Sequence, residues 1–187
     1  MKTFLSNHTC LLILMLWKTA STQAQTLLIP DRVFDGKEMH SDWIVAVAEN
    51  KIVYAGPENG LKRANSYKRI DLGGTTLMPG IIEGHSHVLL HPYNETEWND
   101  QVLKESPTER VIRGVVHAKK SLMAGITTMR DLGSEGAGYT DVYLKKTIDD
   151  GIIPGPRLLV AGPAIVATGA YGPKGCLLYT SPSPRDS

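Results

Sequence analysis

The chain has 187 residues, 42% of them hydrophobic and 21% charged, with a formal net charge of +1. That length holds one domain or one and a fraction, and a balance so near neutral gives no electrostatic reason to expect nucleic acid or an anionic membrane as partner. No run of about 18 apolar residues occurs, so no membrane span is expected once the N-terminus is accounted for.

Residues 1–24 read as a secretory signal. Lys2 supplies the positive start, residues 10–17 (CLLILMLW) a short apolar core, and Thr22-Gln23-Ala24 the small residues that a signal peptidase requires. Export to a periplasm or the outside is expected, with a mature chain beginning at Gln25. The two cysteines, Cys10 and Cys176, are both expected to lie outside the mature enzyme, so no disulfide framework is expected.

Residues 26–71 carry a β pattern. Two β-branched-rich runs, residues 43–49 (WIVAVAE) and 51–56 (KIVYAG), flank Asn50 and predict a hairpin, while Gly36, Gly56 and Gly60 mark turns. Past Gly74 the grammar changes to alternating strand and helix. Residues 75–82 form a short apolar run. Ser106-Pro107-Thr108-Glu109 is a capping box with proline at the first helical position, and Val111, Val115, Ala118 and Leu122 mark one helix face. Gly125 ends that helix before a strand at 126–130. Thr140-Asp141 opens a second helix, with Leu144 and Ile148 on one face and Gly151 as its stop, and Pro154-Gly155-Pro156 leads into a strand at 157–161. This order implies parallel strands joined by right-handed crossovers. Pattern alone leaves a doubly wound sheet and a barrel both open.

The chemistry-bearing feature is His85-Ser86-His87, directly after the expected strand end near Ile82. In extended chain, residues i and i+2 point to one side, so the two imidazoles converge at a strand's C-terminal end, where parallel α/β folds place their sites. Imidazole nitrogen suits zinc and its neighbours, and a bound metal lowers the pKa of water to about 7. By itself a His-x-His pair is more often structural than ligating.

The surrounding residues supply a context. Residues 77–87 (LMPGIIEGHSH) resemble the first-strand motif of the metal-dependent amidohydrolase superfamily. Residues 124–131 (AGITTMRD) and 151–158 (GIIPGPRL) resemble the second and third strands of its imidazolonepropionase-like and Xaa-Pro dipeptidase-like members. Glu83 stands where many members have Asp, in a position whose role is usually structural. The resemblance covers roughly residues 26–175. It implies an α/β fold in which 25–74 form the N-terminal half of a small β-sandwich and 75–175 the first three strands of a (β/α)8 barrel. It also implies hydrolysis of a C–N bond in a small-molecule substrate, dipeptide-like first and an imidazolone-type cyclic amide second. His85 and His87 would bind a divalent metal, zinc first among the candidates, in a centre of one or two ions. The remaining ligands and the catalytic acid and base would come from later strands, so the catalytic residues are unknown here. An alternative of another class is a non-catalytic exported α/β binding protein in which the pair is structural.

Smaller assignments follow. His91, in the loop after the motif, and Tyr171 and Lys174, in a Gly-rich loop, are candidate substrate contacts, although an ordinary loop histidine competes for His91. Asp131 reads as a turn or ion-pair carboxylate and His117 as a solvent-facing helix residue. Asn94-Glu95-Thr96 is a glycosylation acceptor if the host glycosylates its exported proteins. Residues 176–187 (CLLYTSPSPRDS) change composition abruptly, and a back-translation of Cys176 to Asp186 resembles, base for base, a transposon-end adapter used in preparing sequencing libraries. The authentic sequence is therefore expected to stop at Gly175, leaving an N-terminal fragment that is inactive by itself.

Overall fold

The computed structural model describes residues 25–165. The chain divides into two compact units between Met78 and Pro79.

The first unit is a five-stranded sheet. It comprises β1 (Gln25–Phe34), β2 (Met39–His40), β3 (Trp43–Ala48), β4 (Lys51–Pro57) and β5 (Lys68–Leu77). The order is β2-β1-β3-β4, antiparallel throughout, with β5 running parallel to β1. The expected hairpin is present as β3–β4, closed by Glu49 and Asn50, with Glu49 rather than Asn50 in the left-handed region (φ 57°). Leu27, Ile44 and Ala46 form the core, covered by Ile29, Tyr54, Leu61 and Tyr67.

One expected strand is two. Residues 75–77 end β5, where Thr76 pairs with Arg32 and Leu77 with Val33, and the next strand starts only at Ile81. Pro79 has no N–H to give a ladder, so pairing breaks there. The boundary between units accordingly falls at 78/79 instead of 74/75.

The second unit comprises β6 (Ile81–Ser86), α1 (Trp98–Lys104), α2 (Pro107–Met123), β7 (Ile126–Asp131), α3 (Thr140–Asp149) and β8 (Arg157–Leu159). Its three strands are parallel in the order β6-β7-β8, as the alternation of strand and helix requires. Ser106 caps α2, its Oγ accepting the Glu109 N–H at 3.1 Å with Pro107 in the first turn. Gly125 then reverses the chain at φ 93°. The register aligns Met129 with Leu158, and both are buried in a core shared with Val88, Leu89, Ala118 and Leu144. The opposite register row, Ile82–Thr128–Arg157, lies on the open face, where Ile82 is 73% exposed. Helix α1 was not anticipated; it buries Gln101 and Val102 and has too few residues to show a periodicity. Among the described residues no helix is long and apolar enough to cross a membrane.

Candidate metal centre

His85 is the fifth residue of β6, and His87 follows one residue past its end. The strand therefore runs four residues beyond the expected end near Ile82, and one histidine is held in the ladder itself. Side chains pin this segment. Ser86 Oγ donates to the Arg130 carbonyl at 3.0 Å, Arg130 Nε donates to the Gly84 carbonyl at 2.8 Å, and the Leu132 N–H donates to the Ser86 carbonyl at 2.9 Å. A register shift between Glu83 and Ser86 places Ser86 opposite Asp131. Glu83 Oε1 accepts the His85 N–H at 2.8 Å.

The two imidazole rings stand 5.6 Å apart between centres, edge to face. With a zinc–nitrogen bond of about 2.1 Å and a ring centre about 1.1 Å beyond the nitrogen, two rings on one tetrahedral zinc have centres about 5.2 Å apart. The spacing fits a shared ion. His87 Nδ1 faces the Gly133 carbonyl at 3.3 Å and Glu135 Oε1 at 3.5 Å. Both neighbours are acceptors, an arrangement that favours the proton on Nδ1 and leaves Nε2 for a metal. Among the described residues no third His, Cys, Asp or Glu joins the pair in a metal-holding group. Two ligands are half of a four-coordinate set.

The pair borders a cavity of about 460 Å³, lined also by His91, Tyr93, His117 and Lys120. That volume lies within the range of ligand pockets, about 300–1,000 Å³. Four of the chain's six histidines meet there. His91 lines the cavity, but its Nε2 is 2.9 Å from Glu105 Oε1, and its N–H donates to the Oε1 of buried Gln101 at 2.6 Å. Its ring thus anchors a loop to the start of α2. His117 does not face solvent as expected. It is half-buried, with Nδ1 3.1 Å from the Val88 carbonyl, because α2 turns this position onto the loop after β6. Burial holds its pKa below the ordinary imidazole value, against the Val88 hydrogen bond and with help from Arg113. Tyr171, Lys174, Cys10, Cys176, the signal segment and the tail at 176–187 lie outside the described residues.

Behind the pair lies a polar layer that sequence patterning missed. Asp131 is 1% exposed, and its Oδ1 accepts the Gly133 N–H at 3.3 Å, the turn carboxylate that was expected. Burial pushes its pKa up to about 6; the Gly133 hydrogen bond opposes this and the charge of Asp141 adds to it. Arg110, also 1% exposed, donates from Nη1 to the Glu135 carbonyl at 2.8 Å and from Nη2 to the Ser134 carbonyl at 2.9 Å. In a helical pattern Arg110 is one more polar residue near an N-terminus. Only the packing of α2 on the 133–135 loop reveals it as a clamp.

The chain belongs to the amidohydrolase family, whose model matches residues 76–184, more than half of the sequence. It is similar to 5-methylthioadenosine/S-adenosylhomocysteine deaminase of Symbiobacterium thermophilum, with 30% identity over 107 residues, 51% of this chain and 24% of that protein. Imidazolonepropionase of Brucella anthropi is 32% identical over 94 residues, 48% of this chain and 23% of that protein. Among solved structures, a prolidase complexed with N-methylphosphonate-L-proline superposes with a TM-score of 0.62 at 26% identity, covering 78% of this chain and 34% of that one. The chain thus spans about a quarter of the length of the curated relatives it matches. The fold is of the amidohydrolase α/β type, and the resemblance to imidazolonepropionase-like and prolidase-like members holds.

Proposed function

We propose that this chain is the N-terminal part of an exported, metal-dependent hydrolase that cleaves C–N bonds. The observation that carries the reading is the His85–His87 pair, 5.6 Å apart at the end of a parallel strand within the family-matched segment. In this reading β6, β7 and β8 open a (β/α)8 barrel whose other strands and ligands lie beyond the chain. The 25–74 segment is half of a sandwich, residues 176–187 are adapter-derived even though the family match runs on to residue 184, and the fragment alone is inactive. His85 and His87 would hold a divalent ion, zinc first, which supplies an acidified water as nucleophile at neutral pH. The chain's own residues prepare the donors. Glu83 fixes the backbone of His85, and the bonds of Ser86 and Arg130 hold the strand end rigid. The open cavity beside the pair receives a small molecule.

A dipeptide-like amide is the first substrate class, supported by the likeness to a prolidase bound to a proline phosphonate. A cyclic amide is the second, supported by the match to imidazolonepropionase. The full-length protein should contain metal and hydrolyse an Xaa-Pro dipeptide faster than an imidazolone. A His85→Ala, His87→Ala double variant should lose metal and activity together. Full metal content in that variant by elemental analysis would refute the assignment, and a faster imidazolone reaction would reverse the substrate order.

A further inference from the structure

Glu135 sits in the turn after β7, four residues past Asp131, in the left-handed region at φ 49°. For a residue with a β-carbon that conformation costs about 1–2 kcal/mol, so surrounding contacts must hold it there. The Arg110 fork supplies them, taking the carbonyls of both Ser134 and Glu135. The loop is further tied by the Ser134 N–H to the Gly162 carbonyl at 3.1 Å and the Ala137 N–H to the Ser134 carbonyl at 3.0 Å. The result is a carboxylate turned inward, its side chain 16% exposed, with Oε1 3.5 Å from His87 Nδ1. Its other oxygen, Oε2, is buried with no hydrogen-bond partner in the protein. Both Nη groups of Arg110 go to carbonyls, and among the described residues the ion pair of the Glu135 carboxylate is the one with His87.

We infer that Glu135 is the positioning residue of His87: its carboxylate, locked by the Arg110 clamp, keeps the imidazole proton on Nδ1 and presents Nε2 to the metal. This deepens the proposed metal centre and rests on that reading. The physical reason is general. A ligating histidine donates its other ring N–H to a carboxylate or carbonyl, which fixes tautomer and ring orientation, and losing such a partner typically costs about 10–100-fold in metal affinity. Here the Gly133 carbonyl faces that nitrogen at 3.3 Å, and the Glu135 carboxylate stands beside it at 3.5 Å as a second acceptor. Glu135 is not a third ligand, since it faces the ring nitrogen opposite the donor atom and the two histidines form no larger metal-holding group among the described residues.

The test uses the full-length protein, labelled with ¹⁵N-histidine and stripped of metal, at a pH where imidazole is neutral. His87 is assigned by the resonance missing from a His87→Gln variant. In the wild type His87 should be the Nδ1–H tautomer. Glu135→Gly, which removes the carboxylate and relieves the positive φ, should give mixed tautomers and bind zinc about 10–100-fold more weakly in chelator competition. Glu135→Gln, which keeps an acceptor oxygen, should retain the wild-type tautomer and recover most of the affinity. A Glu135→Gly protein with wild-type tautomer and wild-type zinc affinity overturns the inference, as does Glu135→Gln behaving like Glu135→Gly. Because the tautomer is read without metal, a wild type that takes up no zinc sinks the reading of the site while leaving the tautomer comparison to decide the role of Glu135.

Discussion

Removing the Arg110 fork should cost more than any other single change near the site. Arg110→Met keeps the aliphatic bulk on α2 and deletes two charge-assisted hydrogen bonds, at 2.8 and 2.9 Å, to the Glu135 and Ser134 carbonyls. Each such bond contributes about 1.5–3 kcal/mol, so the pair sets an upper bound on the loss of about 3–6 kcal/mol. Part of that returns, because burial disfavours the guanidinium charge, as the downward push on its pKa indicates. A net destabilisation of about 2–4 kcal/mol is expected. Arg110→Lys should fall between, since one ammonium cannot span two carbonyls as a planar fork does. Urea unfolding of the full-length protein gives the difference from the shift in midpoint at constant slope. Amide exchange should quicken at Ser134 and Ala137, whose N–H bonds belong to the clamped loop. A Met variant within about 0.5 kcal/mol of wild type, the spread of ordinary surface substitutions, would refute the clamp. A Lys variant as stable as wild type would refute the fork geometry.

Two further outcomes follow from the same unit. Gly80→Ala places a β-carbon 2.1–2.6 Å from the Oγ1, Cγ2 and Cβ of Thr127. A β-branched stub cannot swing aside, so β6 and β7 must part, at the overpacking cost of about 1–3 kcal/mol or more, and an unchanged melting midpoint would contradict this. Asp131, with its pKa raised to about 6 against about 3.9 unfolded, holds its proton longer when folded. The folded state then binds more protons than the unfolded chain between those values, so stability falls as pH rises from about 4 to about 6, by roughly 3 kcal/mol in total. Asp131→Asn should flatten that limb in the metal-free protein. Parallel wild-type and Asn profiles across this range would show that the carboxylate is not the cause.

Much of the architecture is legible in local grammar because it is local chemistry. The Ser106 N-cap and the stops at Gly125 and Gly151 follow from backbone groups that must be satisfied or dihedrals that only certain residues adopt cheaply. The β3–β4 hairpin likewise needed only two β-branched runs and a two-residue gap. The His85-Ser86-His87 spacing reads directly as two rings on one side of an extended chain. What the sequence misjudged or left silent depends on partners distant along the chain. Residues 75–77 are as apolar as the strand that follows, and only pairing with β1 assigns them to the first sheet. His117 and His91 carry no local sign of burial; α2 packing on the loop after β6 turns one inward, and Glu105 captures the other. Arg110 and Glu135 stand 25 residues apart and look like surface charges in any window. A buried cation joined to two carbonyls, and a carboxylate aimed at an imidazole from a strained turn, arise only when the parallel strands bring the ends of β6 and β7 side by side. Helical and β periodicities record which face is apolar. They hold no record of which buried polar group meets which, and that is decided by tertiary contact.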